Sequence, residues 1–243
     1  MKNLIPHFIA QKFEEGQFSG QFSAATMFLD ISGFTAITER LMQEGKEGAE
    51  ILSIIINDIF EPVIDAVYHA GGFISTFAGD AFTSIFPDAE NAVACAVRIN
   101  KVFSEIGRQK TKFGEFELFV KIGLSYGLVE WGVLGSEKHK AYYFRGDAIN
   151  GCAYSEHQCE KMGVVLDDKI LSFISEDNIE TQKIDGKYQK LLEIKDLELS
   201  ANKCSKLDYA IPREILEKFM PNQALDLKIQ GEFREVVSIF ISY

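Results

Sequence analysis

Short continuous apolar runs alternate along the chain with stretches of helical spacing. Residues Leu4 to Phe22 mix Phe with polar residues and carry Gly16 and Gly20, which predicts a short helix followed by a loop. Ala24 to Ile31 is a short apolar run with Asp30 near its end, the pattern of a buried strand. Ser32-Gly33 breaks the run, and helical periodicity starts near Thr35. Gly45 and Gly48 interrupt that helix. A longer one is predicted from Ala49 to His69, apolar at Ile51, Ile55, Ile59, Val63 and Val67 and kinked at Pro62, with Gly71-Gly72 as its stop.

Phe73 to Phe77 and Ala81 to Phe86 read as two strands, with Ala78-Gly79-Asp80 as a tight hairpin that carries an acid at its tip. Pro87-Asp88 opens a helix with Ala92, Val93, Ala96, Val97, Asn100 and Phe103 on helical spacing. Phe116 to Val133 reads as two long strands joined near Tyr126-Gly127. A short strand follows at Ala141 to Phe144, then a helix over Gly146 to Lys161 and a strand over Val164 to Leu166. Small strands and turns are expected from there to Tyr209. The order β-α-α-β-β-α-β-β-β-α-β predicts an α+β sandwich, a mixed or antiparallel sheet with helices packed on it.

The chain contains an internal echo. Thr26-Met27-Phe28-Leu29-Asp30-Ile31 returns near the other end as Ser238-Ile239-Phe240-Ile241-Ser242-Tyr243. The expectation is a lead-in over residues 1–23, one domain over 24–211 and a linker over 212–231. Residues 232–243 would then be the first strand of a second, similar domain.

Composition narrows the function classes. Lys and Arg total 25 against 36 Asp and Glu, a net charge of −11, which argues against non-specific nucleic-acid binding through a basic surface. An anionic ligand would need a positive mediator, and a metal ion is one. At 47% hydrophobic and 25% charged residues, the chain has the composition of a packed globular protein. No apolar window approaches the length of a membrane span, and Met1 to Ala10, with Lys2, Pro6 and His7, does not resemble a signal peptide. Cys95, Cys152, Cys159 and Cys204 form no C-x-x-C pair, so reduced, packed thiols in a cytoplasmic protein are expected.

Two acids stand out. Asp30 ends a buried strand and Asp80 sits at a hairpin tip. If the strands are neighbours, both carboxylates emerge at one sheet edge, where a cation would neutralise them, and oxygen-only ligation suits Mg²⁺ or Mn²⁺. Equally, Asp30 could cap the next helix and Asp80 merely fill a turn. Ser32-Gly33-Phe34-Thr35 leads from strand to helix, where free amides can hold phosphate, although the segment is neither the Walker nor the dinucleotide pattern. Lys121, alone in Phe119-Val120-Lys121-Ile122-Gly123, reads as a solvent-facing strand position or as a phosphate ligand.

These segments together resemble the catalytic domain of class III nucleotidyl cyclases. Phe28-Leu29-Asp30-Ile31-Ser32-Gly33-Phe34-Thr35 is similar to that family's first metal motif, and Phe77-Ala78-Gly79-Asp80-Ala81 to its second. Val120-Lys121-Ile122-Gly123-Leu124 with Gly127, Gly132 and Gly135 resembles its central strand pair. Gly146-Asp147-Ala148-Ile149-Asn150 resembles the start of the helix that follows. The order and spacing match over residues 24–210, and the nearest flavour is the first domain of the soluble, bicarbonate-responsive tandem adenylyl cyclases.

The resemblance implies a ferredoxin-like βαββαβ core within the sandwich and an active site between two domains paired head to tail. It implies ATP as substrate, 3′,5′-cyclic AMP and pyrophosphate as products, and two Mg²⁺ or Mn²⁺ ions. Asp30 and Asp80 would hold the metals with the carbonyl of Ile31, while Gly33, Phe34, Thr35 and Lys121 would face the phosphates. The complementary face departs from the family pattern. Thr76 stands where a base-selecting Lys is expected, Tyr143 at the second base-selecting position, and Tyr154 where an Arg should follow Asn150. The bicarbonate-binding cations would fall at Thr76 and Ala153, which are neutral. The resemblance therefore implies the metal-donating half of an asymmetric pair, completed by a second cyclase-like domain or a homodimer mate. A catalytically inactive module that binds nucleotide or small anions and regulates a partner is the competing expectation.

Overall fold

The computed structural model describes residues 5–137, 139–195 and 210–225. Cys204 and the strand expected over 232–243 lie outside the described residues. In chain order the elements begin with α1 (His7–Glu14), β1 (Ser19–Ser32), α2 (Phe34–Met42), α3 (Gly45–His69), β2 (Phe73–Ala78) and β3 (Ala81–Phe86). Next come α4 (Ala89–Ile106), β4 (Arg108–Thr111), β5 (Gly114–Glu117), β6 (Phe119–Gly135), β7 (Lys140–Arg145) and α5 (Asp147–Glu156). The last are β8 (Val164–Asp167), α6 (Asp168–Leu171), β9 (Ile179–Asp185), β10 (Tyr188–Ile194), α7 (Arg213–Phe219) and α8 (Asn222–Leu225).

One eight-stranded sheet runs β2-β3-β1-β6-β8-β10-β9, with β7 also paired to β6. All pairings are antiparallel except β6 with β8, so the sheet is mixed. The strand order β2-β3-β1-β6, with α3 and α4 as crossovers, is the expected ferredoxin-like core.

Alternation along β1 divides the two faces of the sheet. Ala25, Met27, Leu29 and Ile31 are buried in the main core with Ile55, Ile59 and Val63 of α3 and Val93, Ala96 and Ile99 of α4. The intervening positions face the other side, which α5 covers. There Ala24 packs with Ala148, and the Thr26 hydroxyl donates to the Ala148 carbonyl at 2.7 Å. Asp30 belongs to this second face by the same alternation.

Several boundaries differ from the sequence expectation. β1 already begins at Ser19, because its N-terminal half finds β6 as a partner over Ser19↔Gly132 to Phe22↔Val129. Phe116 belongs to β5, and from Phe119 on the two strands expected over Phe116 to Val133 are one, the 17-residue β6, since Tyr126 and Gly127 sit within the ladder opposite Ala25 and Ala24. α3 begins at Gly45 rather than Ala49 and, as expected, continues past Pro62, which forfeits one backbone hydrogen bond inside a helix anchored by its buried face. α5 ends at Glu156 rather than Lys161, and the β4–β5 hairpin is an addition. In the segment expected as a linker, α7 buries Ile215 beside Ile5 and Ala10, with Phe219 5.4 Å from Phe13. Among the described residues no helix is long and apolar enough to cross a membrane.

Candidate active site

The end of β1 carries the first acid. In the β1–β6 ladder Asp30 stands directly across from Lys121. On its other side β1 pairs with β3 as far as Leu29↔Phe82, so the β2–β3 turn lies beside the end of β1. That turn is a two-residue loop, Gly79-Asp80, closed by Ala78↔Ala81. Gly79 has φ 67°, the positive value that the first loop residue of a II′ hairpin takes. Both acids are half-buried. Burial pushes the Asp30 carboxyl above its ordinary value and the charge of Asp80 pushes the same way; Lys121 and a hydrogen bond from Ser32 pull it down. Two carboxylates close enough to oppose each other's charge, with one ammonium beside them, form the centre of the site.

The turn from β1 into α2 shapes its wall. Gly33 holds φ 104°, and a Cβ there would lie 2.6 Å from the Glu117 carbonyl oxygen. Only glycine lets the chain turn this tightly beneath β5. The N-cap residue Gly33 offers no side chain to cap α2, and the first amides of a helix have no partner within the helix itself. Phe34, Thr35, Thr38, Glu39 and Asp80 line an open groove of about 310 Å³. The Phe34 side chain is buried while Thr35 is exposed.

The structure thus gathers Asp30, Asp80 and Lys121 at one sheet edge and sets the start of α2 beside Asp80. It places the other sequence candidates elsewhere. Thr76 is exposed on β2 opposite Thr83, and Tyr143 is on β7 opposite Gly132 with the Arg145 guanidinium 5.7 Å from its ring. Asn150 and Tyr154 are exposed on α5, and Ala153 of the same helix is half-buried.

Sequence reasoning missed three residues. Thr38 and Glu39 enter the groove one turn into α2. Glu156, at the end of α5, puts Oε1 4.0 Å from Lys121 Nζ, with its side chain 9% exposed. The available signal was its spacing, four residues after buried Cys152 and eight after buried Ala148, an acid on an apolar stripe.

The donor chemistry fits a hard divalent cation. Asp30 and Asp80 offer oxygen only, and among the described residues no group of three or more His, Cys, Asp or Glu side chains forms a closed metal cage. Mg²⁺ and similar ions are commonly held by one or two carboxylates together with substrate phosphates.

A family model, the adenylate and guanylate cyclase catalytic domain, matches residues 19–194. Adenylate cyclase type 10 of rabbit, Oryctolagus cuniculus, is 29% identical over 185 residues, which is 70% of this chain and 11% of the rabbit protein. An adenylate cyclase of Anabaena cylindrica is 29% identical over 143 residues, covering 56% of this chain and 27% of that one. The chain thus spans about a tenth of the length of the type 10 relative. Among solved structures, a dimeric guanylyl cyclase domain from the aquatic fungus Blastocladiella emersonii superposes with a TM-score of 0.61 at 24% identity, over 74% of this chain and 99% of that one. An adenylyl cyclase from P. aeruginosa gives a TM-score of 0.61 at 19% identity, over 74% and 98%. At these identities the likeness is one of fold. With the family model spanning well over half of the sequence, the chain belongs to the adenylate and guanylate cyclase catalytic domain family.

Proposed function

We propose that this domain is the metal-holding half of a cytoplasmic nucleotidyl cyclase. It converts ATP to 3′,5′-cyclic AMP and pyrophosphate when completed by a second, complementary cyclase-like domain. The observation that carries the proposal is the convergence of Asp30 and Asp80 at one sheet edge, beside a groove lined by the start of α2. The choice of ATP rests on the relatives named adenylate cyclase. The cytoplasmic assignment rests on the three described cysteines, all free and buried.

In this mechanism Asp30 and Asp80 would hold two Mg²⁺ or Mn²⁺ ions, with the Ile31 carbonyl assisting. Ions held there would supply Lewis-acid activation of the ribose 3′-hydroxyl and charge neutralisation of the triphosphate. The amides of Gly33 and Phe34 and the hydroxyl of Thr35 orient the phosphates, and Lys121 adds positive charge near Asp30. The 3′-hydroxyl would give up its proton to a substrate phosphate oxygen or to solvent as its oxygen bonds to the α-phosphorus in line, the bond from the α-phosphorus to the α,β-bridging oxygen breaks, and pyrophosphate leaves with that oxygen. Positioning and charge stabilisation dominate such a step.

Thr76, Tyr143 and Tyr154 cannot supply the cationic partner face, which is why the active unit is an asymmetric pair. The same residues favour a second reading, a module that binds nucleotide without turning it over. The test is cyclic nucleotide formation from ATP with Mn²⁺. The chain alone is expected to give little or none, and robust turnover would overturn the asymmetric pairing. Nucleotide binding with no turnover in combination with any complementary cyclase domain would favour the second reading.

A further inference from the structure

Glu156 ends α5 in a place where a carboxylate is costly. Its side chain is 9% exposed, and a buried charge persists only when paired. Its partner is Lys121, 4.0 Å away, and Lys121 stands across the β1–β6 ladder from Asp30. One ammonium therefore serves two carboxylates, Asp30 beside Asp80 and Glu156 behind them. Burial pushes the Glu156 carboxyl up, the charge of Asp30 adds to that, and Lys121 and His157 draw it down, as expected of neighbouring groups. The end of α5 is fixed against β6 at this point. A Cβ on Gly123 would lie 2.1 Å from the Glu156 nitrogen, and the Ser155 hydroxyl donates to the Leu124 carbonyl at 3.1 Å.

We infer that Glu156 is a positioning residue that anchors the Lys121 ammonium and offsets part of its charge beside Asp30, so that a divalent cation meets less opposition at Asp30 and Asp80. The inference rests on Asp30 and Asp80 being the metal acids. Without Glu156, Lys121 has only Asp30 to pair with, and its full charge opposes an incoming cation. Without Lys121, Glu156 adds to the acids and attracts the cation more strongly. Without both, the local charge returns to that of the natural pair.

The test measures Mn²⁺ binding to the chain by the loss of the free-ion paramagnetic resonance signal, with no nucleotide present. Glu156→Gln is expected to weaken binding by about three- to tenfold, and Lys121→Met to tighten it by a similar factor. The double variant is expected to fall within about twofold of the natural chain. A purely structural Glu156 would instead give a double variant no better than the worse single one. Unchanged or tighter binding by Glu156→Gln overturns the inference. Should Glu156→Gln alone not fold, adding it to Lys121→Met must weaken binding relative to Lys121→Met, and no weakening overturns the inference equally. Asp30→Asn separates the two levels. If it leaves Mn²⁺ affinity unchanged, the metal assignment itself fails. If it abolishes binding while Glu156→Gln has no effect, only the role of Glu156 fails.

Discussion

Replacing Gly33 with alanine isolates the turn that delivers α2 to the site. Gly33 combines φ 104° and ψ −10°, so an L side chain there carries a backbone cost of about 1–2 kcal/mol. The new Cβ would also sit 2.6 Å from the Glu117 oxygen and 3.1 Å from a Leu118 methyl. The nearer contact is backbone at the end of β5, which is paired with β4 through Arg108↔Glu117 and cannot rotate away. Overpacking of that kind adds about 1–3 kcal/mol, for a total of about 2–5 kcal/mol. Gly79→Ala is the control. It shares the positive φ, at 67°, but a Cβ there meets nothing within 4 Å, so only the backbone cost of about 1–2 kcal/mol applies. Urea unfolding followed by circular dichroism measures both, compared at equal slope. Gly33→Ala should lose about 1–3 kcal/mol more than Gly79→Ala. Equal losses would refute the claim that the Glu117 backbone, rather than φ alone, demands glycine at this turn.

Other outcomes follow from the buried polar groups and the packing. Ser125→Ala removes the 2.6 Å hydrogen bond to buried Asp167 and should cost about 1.5–3 kcal/mol at neutral pH. Burial already raises the Asp167 carboxyl and the Ser125 hydroxyl lowers it, so the variant raises it further. A raised carboxyl destabilises the fold above its folded value, and that cost fades as pH falls towards the unfolded value. The gap between variant and natural chain should therefore narrow on acidification in pH-dependent melting. The thiols of Cys95, Cys152 and Cys159 are pushed up by burial to about 12. Peptide-resolved iodoacetamide labelling at pH 8 should leave all three unmodified until the chain is unfolded. Ile215→Ala should loosen α7 from Ile5 and Ala10 and speed protease cleavage within residues 210–225 without changing the melting of the sheet core.

Local physics made much of this architecture legible. An apolar run ending in Asp30, a Gly-Asp hairpin tip and Asp88 ahead of a periodic helix each encode their structure within a few residues; the Asp88 carboxylate does accept from the Asn91 amide at 2.8 Å. The features that were not legible depend on distant partners. Gly127 looks like a break, but pairing with Ala24 across the ladder carries β6 through it. The β4–β5 hairpin is mostly polar, with Phe113 and Phe116 packed against the main core, and draws on cross-strand pairs, Arg108 with Glu117 and Lys110 with Glu115, that no hydrophobic period announces. The same holds at the site. Asp30 and Asp80 could be singled out from strand ends alone, whereas Glu156 acquires its place beside Lys121 only when α5 packs on β6, across a sequence separation that spacing rules do not bridge.

The central claim is that Asp30 and Asp80 jointly bind the cation through which this domain takes hold of a nucleoside triphosphate. Calorimetric titration of ATP into the chain, with and without Mn²⁺, tests it most directly. Heat of binding should appear only with the metal, and Asp30→Asn and Asp80→Asn should each abolish it while both variants keep the natural circular dichroism spectrum. Metal-dependent ATP binding that survives both substitutions at the natural affinity would contradict the claim.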